Sequence, residues 1–247
     1  MPGRLLQMYE EMGVLRDGKA LPLCDHCPSH ASCWLGLDAR KPAGNKVESS
    51  HISLPWIGEK YGDRRITVVG VNPNEGGGLL FFPTLVRQAV KELEKGKILV
   101  NFGDETYKGT TLWHEIGKLA AELLSIWQDE FDFSRLSSAD SYSYLAFTNH
   151  IKCSPLDERS RPSNEIWKNC GNTILKKELD TLRPEILMVL GRRENMYAMD
   201  HRVFDRPATW KYESKYFRFG HAALGGRRVA VLNVPIRQSE LVNHQRF

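Results

Sequence analysis

No run of apolar residues in this chain approaches the length a bilayer requires, which excludes a membrane-spanning helix and predicts no membrane partner. Large net charge is lacking too. The 34 Lys and Arg residues stand against 30 Asp and Glu, and the resulting +4 permits binding to a polyanion without requiring it. No internal repeat or low-complexity tract is present, so a solenoid or a disordered linker protein is excluded. Met1-Pro2-Gly3-Arg4 leads into an amphipathic segment rather than a secretory signal, and a cytoplasmic location is the expectation. A length of 247 residues suits one sizeable α/β domain better than two. The expected organisation is a single domain over 1–247, with an N-terminal helix and a cysteine turn in 1–50 packed on the core.

Cysteines are few but placed suggestively. Cys24-Asp25-His26-Cys27 is a Cys-x2-Cys pair in a turn, which lets two thiolates point at one ion. Cys153 and Cys170 follow in the second half, spaced as a loop and the helix after it, each lending one sulfur. One metal centre tying the two halves together, with zinc or an iron–sulfur cluster in it, is the reading these positions favour. Buried thiols or a disulfide are the plainer alternative. They sit less well with two cysteines so close together in a polar turn, and a reducing compartment disfavours the disulfide. His26 and His30 keep zinc open, because zinc accepts mixed thiolate and imidazole ligands.

Four short β-branched runs read as buried strands: 65–71, 144–151, 185–191 and 228–234. Helical spacing of apolar residues marks 5–15, 111–127 and 164–182. Strands alternating with helices predict a parallel sheet covered on both faces. Ligands of such sheets bind beyond the carboxyl ends of the strands, which directs attention to the loops at 72–78, 149–155, 191–195 and 235–239.

Those loops carry the residues through which the chain resembles the uracil-DNA glycosylase superfamily, and its iron–sulfur branch, family 4, in particular. Gly70-Val71-Asn72-Pro73-Asn74 is similar to the first motif, a strand running into a GxxPG-like loop. Thr148-Asn149-His150-Ile151-Lys152-Cys153-Ser154-Pro155 resembles the branch's TN-x-x-K-C-x-P segment. Asn169-Cys170 and then Leu182-Arg183-Pro184-Glu185 running to Leu190-Gly191 continue it in order and spacing. The resemblance implies a three-layer α/β/α sandwich with a central four-stranded, mainly parallel sheet. It also implies a [4Fe–4S] cluster on Cys24, Cys27, Cys153 and Cys170 that staples loops, with zinc as the alternative and Cys33 left over.

The implied activity is that of a monofunctional DNA glycosylase, which flips a uracil-like or modified pyrimidine out of DNA and hydrolyses its N-glycosidic bond. Such chemistry needs a positioned water, donors on the base oxygen and an aromatic platform for the extruded base. By the resemblance Asn72 holds the water, Asn149 reads the pyrimidine edge through an amide that both donates and accepts, and Tyr107 stacks on the base. Gly70, Val71, Pro73, Asn74 and Asn233 complete the substrate-binding set. Glu75 is a carboxylate placed to act near the developing cation. Phe81 and Phe82 compete with Tyr107, and the Gly76-Gly77-Gly78 run allows close backbone approach.

The last motif departs from the family. Its His-Pro-Ser is replaced by Asn233-Val234-Pro235-Ile236-Arg237, so Val234 stands where the histidine belongs. An unreplaced donor of that kind is worth about 2.7–4 kcal/mol of transition-state stabilisation. Asn233, Arg237 and His150 are the candidate substitutes, and Arg237 is also placed to plug the duplex. Arg192, Arg193, Arg227 and Arg228 are among the basic residues beside predicted strand ends, as phosphate contacts require. Lys176 and Lys177 read as a solvated helix face.

Overall fold

A computed structural model describes residues 2–13, 15–16, 19–20, 54–71, 81–101, 110–126, 136–152, 164–191 and 193–234. It is a mixed α/β structure built on one large sheet. Helix α1 (Pro2–Glu11) is followed by a two-residue ribbon of β1 (Leu15–Arg16) and β2 (Lys19–Ala20), and then by β3 (Trp56–Ile57). The centre comes from β4 (Ile66–Gly70), β5 (Leu145–Asn149), β6 (Ile186–Leu190) and β9 (Arg227–Val234), with β7 (Arg206–Glu213) and β8 (Arg218–Leu224) between the last two in sequence. Helices α2 (Phe81–Glu94) and α3 (Leu112–Ser125) lie between β4 and β5, and α4 (Asn164–Cys170) and α5 (Lys176–Leu182) between β5 and β6. Helix α6 (Arg193–Ala198) follows β6.

The sheet order is β3-β5-β4-β6-β9-β8-β7. Strands β5, β4, β6 and β9 are mutually parallel, while β3, β8 and β7 add on antiparallel. The four expected strands are thus the parallel centre, and the expectation of a four-stranded sheet is corrected to seven. The extra strands leave little trace in the sequence. β7 contains Pro207 and is mostly exposed, β8 is interrupted by Gly220 and small alanines, and β3 is two residues long. None offers the nearly unbroken apolar run that marks β4 or β6.

Alternation along the strands divides the core. Ile66 and Val68, Leu145 and Phe147, and Ile186, Met188 and Leu190 join Phe82, Val86, Trp113 and Ile116 of α2 and α3 in one cluster. Val69, Ala146, Leu187 and Val189 join Leu179 and Leu182 of α5, together with Met196 and Met199, in a second. A third cluster seats α1, through Leu5, Met8 and Tyr9, against Ile151, Trp167, Cys170 and Ile174. Helix α2 has no counterpart among the expected elements, because its glycine-rich approach and early Pro83 mask the helical spacing.

The span expected as one helix at 164–182 bends through a π-helical turn at Gly171–Leu175, so that α4 and α5 are separate α-helical runs. Single π turns of this kind insert one residue's worth of slack and gather at functional positions. Here it falls directly after Cys170. The helix ends at Arg183, which adopts a left-handed φ of 52° and returns its N–H to the Leu179 carbonyl at 2.8 Å, with Pro184 preventing continuation.

Candidate functional site

The carboxyl ends of the four parallel strands are level. Gly70 pairs with Asn149, Val69 with Val189, and Leu190 with Val234. One row therefore crosses the sheet in the order Asn149, Gly70, Leu190, Val234. All four positions fall on the face of the first cluster, two residues beyond Phe147, Val68, Met188 and Leu232 respectively. Three strand spacings of about 4.8 Å make the row about 14 Å wide, enough for a nucleoside.

Gly70 and Asn149 are brought together closely. A Cβ on Gly70 would stand 2.5 Å from Asn149 Oδ1 and 3.4 Å from the Phe147 ring, so the carboxamide occupies the space a side chain would take. Asn149 is only 6% exposed, and among the described residues no hydrogen bond engages its amide. Buried amides are ordinarily satisfied, and this one sits at a strand terminus, where ligands of parallel sheets bind. Val71 continues the strand: its carbonyl accepts from Ile151 N–H at 2.9 Å, and a Cβ on Gly191 would meet its Cγ2 at 2.9 Å.

Asn233 lies elsewhere. It alternates with Val229 and Val231 of the second cluster, on the sheet face opposite Asn149, and its Nδ2 donates to the Val189 carbonyl at 3.0 Å. The amide is used in joining β9 to β6, so as placed it neither faces the row nor has that donor to spare. Val234, in contrast, stands in the row itself, half-buried against the first cluster.

His150 is fully buried on the Asn233 side. Its Nδ1 is 3.0 Å from Asn195 Oδ1, and its Nε2 is 3.3 Å from the Trp167 carbonyl. The Asn195 amide is oriented by its own donation to Leu190 O at 2.7 Å, so the shorter contact assigns the proton to Nδ1. Burial above all pushes this imidazole down, to about 3. His150 is thus a neutral core group directed away from the row, and the expectation that it can substitute for the missing histidine is corrected. Phe82 is likewise a core residue, edge-on to Phe147 with ring centroids 5.0 Å apart, rather than a platform for a base.

Below the end of β5 lies a group that sequence reasoning missed. Lys152 Nζ contacts Glu178 Oε2 of α5 and sits 2.5 Å from Thr148 Oγ1, which itself donates to Glu178 Oε2 at 2.9 Å. Both charged side chains are buried. Burial pushes the Glu178 carboxyl up and the Lys152 ammonium down, and the contact between the two charges opposes both shifts. Thr148 and Lys152 are visible as motif letters, whereas Glu178, on the next helix, carries no local signal.

Cys170 is buried beside this group, and the negative charge its sulfur can carry partly offsets the effect of burial on Lys152. It packs with Ile151, two residues before Cys153, and with α1, the element that precedes Cys24 and Cys27. Cys24, Cys27 and Cys153 themselves lie outside the described residues, as do Asn72, Pro73, Asn74, Glu75, Tyr107 and Arg237. Among the described residues no three His, Cys, Asp or Glu side chains are grouped to hold a metal ion. Lys176, expected to be solvated, forms an exposed ion pair with Asp205 at 3.0 Å. No protein-family model matches this chain, and a comparison with curated proteins finds no significant relative.

Proposed function

We propose that this protein is a monofunctional DNA glycosylase of the uracil-DNA glycosylase type, a three-layer α/β/α domain that extrudes a uracil-like or modified pyrimidine and hydrolyses its N-glycosidic bond to leave an abasic site. The observation that carries the reading is the Asn149 carboxamide, buried over Gly70 at the carboxyl edge of the parallel strands. A pyrimidine edge presents an adjacent carbonyl and N–H, and a single amide satisfies both. Gly70 supports this role because any larger residue would displace the amide. The motif resemblance supplies Asn72 for the water, with Tyr107 stacking on the base and Arg237 at the duplex.

Val234 shapes the substrate preference. An aliphatic side chain in the row cannot donate to the departing base oxygen, so plain uracil is a poor substrate and a modified pyrimidine with a better leaving group a preferable one. Repair, or defence against DNA carrying modified bases, would both use such an activity in a cytoplasmic setting. The same valine favours a second reading, a catalytically silent nucleic-acid sensor.

Cys24, Cys27, Cys153 and Cys170 would hold a [4Fe–4S] cluster, which supplies a structural cross-link rather than chemistry on the base. Cys170 fits that assignment, being buried between α1 and the end of β5 and close to Lys152.

The test is a panel of single-stranded and duplex oligonucleotides, each with one modified pyrimidine, read by alkaline cleavage at abasic sites. Cleavage of at least one member by the natural protein, and its loss in Asn149→Ala, is the expected result. Binding without cleavage across the panel would instead favour the sensor.

A further inference from the structure

The β7–β8 hairpin is not needed to build the row, yet it concentrates charge and aromatic surface. Residues 206–228 contain six Lys or Arg and one Glu, a net +5 against +4 for the whole chain, so everything else sums to −1. Positive charge is thus a local property of this hairpin and its return turn. Four large aromatics within it face solvent: Tyr212 is 53% exposed, Tyr216 67%, Phe217 40% and Phe219 41%.

Their arrangement is ordered. Tyr212 is directly opposite Phe219 in register, and the Tyr212 and Phe217 rings stack with centroids 5.1 Å apart at 28°. The other side of the hairpin is spent on the fold, where Ala208, Trp210, Ala222 and Leu224 pack on the second cluster. Lys211 and Arg228 flank the open side, and neither forms an ion pair among the described residues. Both bear on His221, whose imidazole is held below its usual range by burial first and by these two charges next.

A second copy of the chain is a poor occupant. Pro207, Lys211 and the two register shifts along β7 obstruct strand addition at that edge, and a surface this basic repels its own image. A polyanion with flat, stackable faces fits both the charge and the aromatics. Location agrees, because Arg218 lies opposite Asn233 and so brings the hairpin's turn to the carboxyl end of the sheet.

We infer that the β7–β8 hairpin is a stacking platform for single-stranded DNA, with bases on Tyr212, Phe217 and Phe219 and phosphates on Lys211 and Arg228. The choice of DNA rests on the glycosylase reading. Fluorescence anisotropy with an unmodified, labelled single strand of about 10 nucleotides tests it, against a duplex and an RNA of the same sequence. The natural protein should bind the DNA strand more tightly than the duplex. Tyr212→Ala with Phe217→Ala should weaken binding about 10- to 100-fold with little change in salt dependence. Lys211→Gln with Arg228→Gln should flatten the slope of log affinity against log salt by about 1.4, or about 0.7 for each phosphate that is no longer neutralised.

Tyr216→Ala, at the solvent-facing turn, supplies a variant that leaves the core intact, and it should weaken binding by a smaller factor. Unchanged affinity in the aromatic double variant would overturn the inference. So would tighter binding of RNA than of DNA, or sedimentation showing a dimer that Phe217→Ala dissociates. Because the strand carries no target base, its binding is separate from base release. Binding without abasic sites anywhere in the panel would sink the glycosylase reading and leave the platform standing, and release without strand binding would do the reverse.

Discussion

Replacing Lys152 by Met removes the one counter-charge that the described residues place on a carboxylate with no access to water. At an ordinary ion-pair contact of about 2.8 Å and an effective dielectric constant near 20, the attraction is about 6 kcal/mol, comparable to the desolvation of the two ions. The intact pair therefore adds little net stability, while the broken pair strands Glu178. Its second oxygen, Oε1, already has no hydrogen-bond partner among the described residues. Lys152→Met should lower unfolding stability by about 3–5 kcal/mol, read from the urea midpoint by tryptophan fluorescence. In that variant Glu178 takes up a proton in the fold at a pH where the unfolded chain, with an ordinary carboxyl near 4.3, does not. The native state then binds the extra proton, stability falls as pH rises, and the loss should be smaller at pH 5 than at pH 8. Lys152→Met combined with Glu178→Leu should recover most of it. A loss below about 1 kcal/mol in the single variant, or a double variant as unstable as the single one, would refute the reasoning.

Three further outcomes are expected. His150, held neutral to about pH 3 in the fold but ionising near 6.5 when unfolded, contributes roughly 4–5 kcal/mol that is present above pH 6.5 and lost as pH falls toward 3; His150→Gln should flatten acid denaturation across that window. Gly70→Ala should fold, at a cost of about 1–3 kcal/mol, because the Asn149 amide can shift away from the new methyl, and base release should fall far more than stability. Anaerobically purified protein should be brown with about four irons per chain, and Cys153→Ala should lose the colour where Cys33→Ala keeps it; colourless protein with stoichiometric zinc would reassign the centre.

The parallel centre was legible because β4 and β6 are buried on both faces and hence read as short, almost wholly apolar runs. The antiparallel additions were not, since their inward residues mix small and large side chains, Ala208 and Ala222 with Trp210 and Leu224, and their outward ones are polar or aromatic. At the candidate site, Asn149 and Gly70 could be picked out by motif, and their mutual approach follows from strand pairing. Asn233 could not be assigned a face from sequence, because a single residue of register decides which side of the sheet it meets. Glu178 and Asn195 serve partners more than 25 residues away, and no local pattern records such bonds.

The central claim is base release guided by Asn149, and single-turnover release of free base from modified-pyrimidine DNA measures it directly. The natural protein should yield an abasic site on at least one substrate, Asn149→Ala should slow that step about 10²-fold, and Val234→His should raise release of plain uracil. Release that is unchanged in Asn149→Ala, or absent from every substrate with folded, iron-loaded protein, would contradict the account.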